Sequence, residues 1–395
     1  MPQPITHLLV GKISLEDTIE DMSKDESGRV SGVTAKLLKK VGGSATRGTD
    51  WLYGNYSTIL IPTHPKYYSH ISDVMHWEAS FDLFCAMLNY IKQMPFDKAT
   101  ENKLKVFAYG FYSHVVADSV FHPFVYRLSG DDPTKHHDEG YLKHKDIERA
   151  MDYYNVKKIK GVSPRGMGFP DMIGLQTHDD NKVGFDRDIF KMLSHAIKVA
   201  YATKKSETES SVFESYKIDY QRYFGRYPFN RRNPIVSANH DFESEAKILY
   251  SPRNVFTEWI IQNVPQLSVF DQTRRLTPEE EKLMEEGPGK EWVEKYSPIP
   301  PYNTSQLFDL SVKGTKKIIE LSERFFASTE SNADTFFRRD SHGAAFLNNM
   351  NHDAGLNSSM NPILNTLLPG ELKYKFRLEE IAQNYRTIEQ CSVIT

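Results

Sequence analysis

Apolar residues recur at helical intervals through most of the chain, and the two-residue alternation of half-buried strands is scarce. The spacing predicts helices near 31–41, 73–94, 99–127, 140–154, 186–204, 208–224, 241–249, 254–263, 278–286 and 305–327. In the last of these Thr304 or Ser305 can cap, and Leu307, Leu310, Ile318, Leu321 and Phe325 fall on one face, so the helix should pack against a core. The segment after His7, LLVG, reads as a short apolar stretch. Pro-rich or polar punctuation at 158–184, 226–236, 287–303 and 329–362 reads as loops or boundaries. The expected fold is therefore all-α: a multi-helix core over residues 1–230 and a C-terminal extension of helices and long loops over 231–395, with helix 305–327 packing on the core. No internal repeat and no low-complexity tract interrupts this organisation.

Within the helical pattern, one region departs from ordinary amphipathic design. FAYGFYSHVVADSVFHPF places His114, Asp118 and His122 four residues apart, and YLKHKDIERAMD repeats the step with His144 and Glu148. Side chains at i, i+4 and i+8 share one helix face, roughly 6 Å apart per step, so the first segment presents imidazole, carboxylate and imidazole together. A His–Glu pair such as His144/Glu148, taken alone, is an ordinary surface pair. The first segment is different, because Phe107, Tyr109, Phe111, Val115, Val116, Val120, Phe121 and Phe124 surround its ligands. Polar groups in such a setting must be satisfied, by a hydrogen-bonded network or by a metal ion. Metal accounts for all three at once.

Composition narrows the choice. The 395 residues are 39% hydrophobic and 12% aromatic, enough for a large core, and the net charge of −3 with a pI near 6.5 argues against nonspecific nucleic-acid binding. Only Cys85 and Cys391 occur, which excludes a disulfide framework and a cysteine zinc site; any metal must use His, Asp and Glu. The N-terminal MPQPITHLLVGKISLEDT has neither a basic nor a long apolar region. It points to export or host delivery by a route needing no Sec signal peptide, or to a cytoplasmic protein. No run reaches the roughly 18 apolar residues of a membrane span, so no transmembrane helix is expected. The final CSVIT is one residue too long for a prenylation box.

Five ligands on two helices call for more than one zinc, and three residues upstream add to them: His7 in PITHLLVG, Asp50 in RGTDWLYGNY after a Gly-rich turn, and His76 in SDVMHWEASF. The order ITH, GTDWLY, SDVMHWE, YSHVVADSVFH, HKDIE, spanning residues 1–150, resembles the ligand order of the zinc-dependent phospholipase C and nuclease P1 superfamily. That resemblance implies an all-helical fold with two or three zinc ions in one cleft. Asp50, His76, His114 and Asp118 would surround one ion, Asp118 would bridge to a neighbour also held by His7, and His122, His144 and Glu148 would hold the remaining ion.

Three departures from the secreted phospholipases C stand out. The interval Asp118 to His122 is x3 where theirs is x5, which resembles the glycosylphosphatidylinositol phospholipase D branch and leaves His136 or His137 as alternatives to His122. Those enzymes ligate zinc with the amino group of an N-terminal Trp, whereas this chain begins Met1-Pro2. The extra length through residues 231–395 is most similar to the larger bacterial phosphatidylcholine-hydrolysing enzymes.

The resemblance implies a phosphodiesterase that hydrolyses glycerophospholipids, phosphatidylcholine foremost, at a membrane surface and takes no nucleic acid. Asp50 would be both ligand and catalytic group for the attacking water. Trp51, Tyr53 and Tyr56 would wall a choline headgroup through cation–π contact. A nuclease of the P1 type, stacking bases on the same aromatics, and a non-catalytic membrane- or partner-binding protein with a structural metal site are the rival readings. His178, His240 and His352, in HDD and NHD triplets, suit caps and turns without metal, and His342 has no assigned role.

Overall fold

The computed structural model describes residues 4–48, 75–76, 79–129, 147–148, 151–152, 154–156, 158–161, 176–179, 182–202 and 304–340. Seven helices are defined among them: α1 Pro4–Met22, α2 Gly32–Ala45, α3 Ser80–Gln93, α4 Lys98–Ser129, α5 Arg187–Ile197, α6 Thr304–Ala327 and α7 Ala333–Asp340. Short helical stretches also lie at 75–76 and between 147 and 160. One antiparallel hairpin, β1 Gln176–Asp179 with β2 Lys182–Phe185, pairs His178 with Val183 and precedes α5. The fold is all-α in class, as the periodicity predicts.

α4 is the axis. Its 32 residues span about 48 Å at 1.5 Å per residue, and every residue from Leu104 to His122 is buried. A helix apolar all round is one enclosed by others, and α1, α2, α3, α5 and α6 all pack against it. The α2–α4 crossing is close enough to need glycine: a Cβ at Gly110 would lie 2.6 Å from the Gly42 carbonyl oxygen. That crossing brings the C-terminal end of α2 onto the middle of α4.

α1 is the second interior element. Residues Ile5 to Gly11 are all buried, after which the helix turns amphipathic, with Ser14, Leu15 and Ile19 inside and Glu16, Asp17 and Glu20 outside. The short apolar segment after His7 is thus a 19-residue helix. Its first turns lack a polar face, so helical periodicity does not show there.

α6 packs on both α1 and α4. The Tyr109 hydroxyl of α4 donates to Glu323 Oε1 at 2.5 Å, and buried Lys105 lies 3.3 Å from Glu323 Oε2 and 2.9 Å from Glu101. Burial, reinforced by Glu323, pushes the Tyr109 phenol well above its usual range. From α3, Lys92 Nζ donates to the carbonyls of Phe325 (2.5 Å) and Ser328 (2.9 Å) at the end of α6, with the Phe325 ring 4.2 Å away. An ammonium among the carbonyls of a helix C-terminus stabilises that end.

Other elements differ from the sequence reading. The helix expected over 73–94 is interrupted at Ala79, whose φ of 54° lies in the left-handed region, and regular helix begins at Ser80. The helix expected over 186–204 ends in a π-helical turn, Lys198–Ala202. Helical backbone is present at 158–160, beyond the expected end at 154. The hairpin and α7 fall in stretches read as loops; α7 is anchored apolar-side inward by Phe336 and Phe337 despite its polar flanks. The helices expected at 208–224, 241–249, 254–263 and 278–286 lie outside the described residues.

Candidate metal centre

The centre is assembled around Asp118, which is fully buried in the middle of α4. Four imidazoles face its carboxylate, two to each oxygen. Oδ1 lies 3.1 Å from His7 Nε2 and 3.7 Å from His122 Nε2; Oδ2 lies 3.0 Å from His114 Nε2 and 3.6 Å from His76 Nε2. The four-residue step of α4 puts His114 and His122 on either side of Asp118, as the spacing predicts. α1 inserts His7 from its buried first turn, and the short helical stretch at 75–76 supplies His76. Glu148, also buried, brings Oε1 to 3.7 Å from His122 Nε2.

Hydrogen bonding sets the tautomer of one ring. His114 Nδ1 lies 3.2 Å from the carbonyl oxygen of Thr46, the residue that ends α2. A carbonyl only accepts, so Nδ1 carries the hydrogen, and in the neutral ring Nε2 then presents a lone pair toward Asp118 Oδ2. Two acceptors facing each other at 3.0 Å, out of water, require a positive charge between or upon them. No well-formed hydrogen bond among the described residues reaches either oxygen of Asp118.

The electrostatics agree. Burial opposes ionisation of Asp118, but His114, His122 and His7 outweigh it and hold the carboxyl well below the usual carboxylate range. Burial pushes the His122 imidazole well below its ordinary value, against the pull of Asp118. A buried carboxylate faced by four imidazole nitrogens is the composition of a divalent-metal site.

The distances also fit zinc. Two ligand atoms each about 2.0–2.1 Å from a tetrahedral ion stand roughly 3.3 Å apart, close to the 3.0–3.7 Å found here. His7, His114 and Asp118 form the tightest group, each offering one ligand atom with all three within 4.8 Å of one another, and the rings of His7 and His114 stack at 4.2 Å.

Gly48 packs against the back of this ligand set. Its φ is +53°, and a Cβ there would sit 2.4 Å from both Cβ and Cγ of His114. Of the residues the sequence singled out, His7, His76, His114, Asp118, His122 and Glu148 come together. Asp50, Trp51, Tyr53, Tyr56 and His144 lie outside the described residues, as do His136, His137, His240, His342 and His352.

The pattern did not single out Asp152, Thr6 and Asn155, which form a second buried layer. Asp152 Oδ2 accepts from the Ile5 N–H at 3.1 Å, and Oδ1 accepts from the Thr6 N–H at 2.8 Å and the Thr6 hydroxyl at 2.7 Å. Asn155 Nδ2 donates to Thr6 Oγ1 at 3.1 Å. A signal was present: Asp152 continues the four-residue step of His144 and Glu148.

Comparison with known proteins gives one match. Residues 50–211 match the family model described as zinc dependent phospholipase C. No curated protein and no solved structure showed a significant match to the chain.

Proposed function

We propose, taking as premise that residues 50–211 belong to the zinc-dependent phospholipase C superfamily, that this protein hydrolyses glycerophospholipids, phosphatidylcholine foremost, to diacylglycerol and a phosphorylated headgroup. The observation that carries the reading is Asp118, a buried carboxylate with two imidazoles against each oxygen. A carboxylate so placed suits a bridge between ions, and the pairing supports two or three zincs. One would be held by His76, His114 and Asp118 with Asp50, one by Asp118 and His7, and one by His122, His144 and Glu148. Bound there, zinc supplies neutralisation of the phosphate oxygens and acidification of the attacking water.

The residues themselves supply orientation and proton transfer. Asp50 follows Gly48 by two residues in the sequence, and Gly48 packs against His114. From there its carboxylate takes the proton of the water that attacks phosphorus in line with the glycerol oxygen. The bond from phosphorus to that oxygen breaks, and the glycerol oxygen takes up a proton from solvent water as it leaves as the hydroxyl of diacylglycerol. Trp51, Tyr53 and Tyr56, next along the chain, wall the quaternary ammonium of choline, a contact of about 0.5–2 kcal/mol. The apolar enclosure of α4 keeps His114 and His122 in fixed orientations without solvent competition.

The substrate must come from a bilayer or a lipid aggregate. No helix among the described residues is long and apolar enough to cross a membrane. The test is a paired assay on the zinc-loaded chain: diacylglycerol from phosphatidylcholine vesicles against nucleotides from single-stranded DNA. Lipid turnover with no nucleotide release is expected. Nucleotide release without diacylglycerol would overturn the lipid assignment, and metal analysis finding less than one zinc per chain would remove its basis.

A further inference from the structure

Asp152 is fully buried and accepts hydrogen bonds from the N-terminus of α1. The first turn of any helix leaves N–H groups without intrahelical partners. Here Pro4 removes one donor, and the residues before it, Pro2 and Gln3, include no Ser, Thr, Asp or Asn to cap the rest. The cap comes instead from 146 residues away: one carboxylate takes the Ile5 and Thr6 N–H groups, one on each oxygen, and the Thr6 hydroxyl as well. Asn155, one turn further on, donates to that hydroxyl and fixes its direction. A carboxylate suits the place, because the helix N-terminus carries partial positive charge.

The clamped residue directly precedes His7, whose Nε2 lies 3.1 Å from Asp118 Oδ1. One turn before Asp152, Glu148 faces His122. Glu148 and Asp152, four residues apart in sequence, thus bring one carboxylate to the ligand cluster and another that holds the helix carrying His7. We propose that Asp152 is a positioning residue for the metal centre: as a cap supplied in trans, it sets the depth and rotation of α1, and hence the place of His7 against Asp118. The inference rests on the zinc reading above.

The test is zinc affinity of the full-length chain, measured by competition with a chromophoric chelator, alongside thermal unfolding of the metal-free forms. Asp152→Ala should weaken zinc binding by about 10–100-fold, the usual effect of losing an outer-shell partner, and Asp152→Asn, which keeps one acceptor oxygen, should restore part of it. The decisive arm is His7→Ala: with the ligand gone, adding Asp152→Ala should cost less than about 2-fold more, the non-additivity of residues acting through one another. A purely structural cap would lower Tm in both backgrounds and leave zinc affinity of the folded protein unchanged, which overturns the proposal. So does a full Asp152→Ala loss that persists beside His7→Ala. Should Asp152→Ala fail to fold, Thr6→Val removes only the hydroxyl contacts and should still weaken zinc binding by a few-fold; unchanged affinity in both Thr6→Val and Asp152→Asn refutes the role. A wild-type chain that binds no zinc overturns the underlying reading itself, and is distinguished by that measurement alone.

Discussion

Replacing Gly48 by alanine tests whether the turn before Asp50 is built against the ligand cluster. Two costs arise. The left-handed backbone at φ +53° disfavours any Cβ, at about 1–2 kcal/mol. The new methyl carbon would also lie 2.4 Å from His114 Cβ and Cγ, where ordinary contact begins at 3.4 Å, so the turn or the ring must move by about 1 Å. Overpacking of that kind costs about 1–3 kcal/mol, for roughly 2–5 kcal/mol in all. The displaced ring loses its 3.2 Å contact with the Thr46 carbonyl, and zinc affinity should fall by about 10–100-fold with it. Gly28 provides the control: its φ is +78° but nothing lies within 4 Å of a Cβ there, so Gly28→Ala pays the backbone cost alone, about 1–2 kcal/mol, and should leave zinc binding untouched. Urea unfolding of the metal-free proteins and chelator competition measure both quantities. If the two variants lose equal stability and both keep wild-type zinc affinity, the packing of Gly48 on His114 is refuted as a determinant of the site.

Asp118→Asn removes the charge that two pairs of imidazoles share and should abolish both zinc retention and lipid hydrolysis, whereas His352→Ala should retain both; equal loss in the two would place part of the site in the C-terminal region. In the metal-free protein, burial holds His122 well below the ordinary value of 6.5, so unfolding takes up a proton there. Stability should therefore be full above that pH and fall as pH drops through it, and His122→Gln should flatten the profile; a flat wild-type urea midpoint from pH 8 to 5 would contradict this. Lys92→Met leaves the carbonyls of Phe325 and Ser328 without their ammonium donor and should cost about 1–3 kcal/mol in urea unfolding, with a loss under 0.5 kcal/mol counting against the cap.

What the sequence reveals depends on whether a partner is local. His114, Asp118 and His122 are legible because one helix sets their geometry, and the apolar residues around them are legible as burial. His76 and Glu148 are visible only as ligand types, since tertiary packing decides where they point. α1 escapes detection because its first turns are buried all round, so polar and apolar positions do not alternate with any helical period. The interruption at Ala79 is equally silent, as a non-glycine residue at positive φ has no compositional marker. Asp152 is hidden for another reason: its partners are mainly backbone N–H groups, which every sequence possesses. Only its step of four after Glu148 hints at the inward face of that helix.

The trans cap on α1 bears on the order in which the chain can mature. α1 precedes the other described elements in the sequence, but the carboxylate that completes its first turn is made 146 residues later, and Ser14 finds its Val312 carbonyl partner, at 3.4 Å, only after 298. Such sequence-distant closures slow folding, because loop entropy is lost before the contacts compensate for it. The face of α1 that α6 covers therefore stays open until residues 304–327 have been made, a patch a holdase chaperone can bind. Arrested nascent chains should show this directly: protease resistance of α1 should be absent in chains stalled before α6 has emerged and present in the released protein.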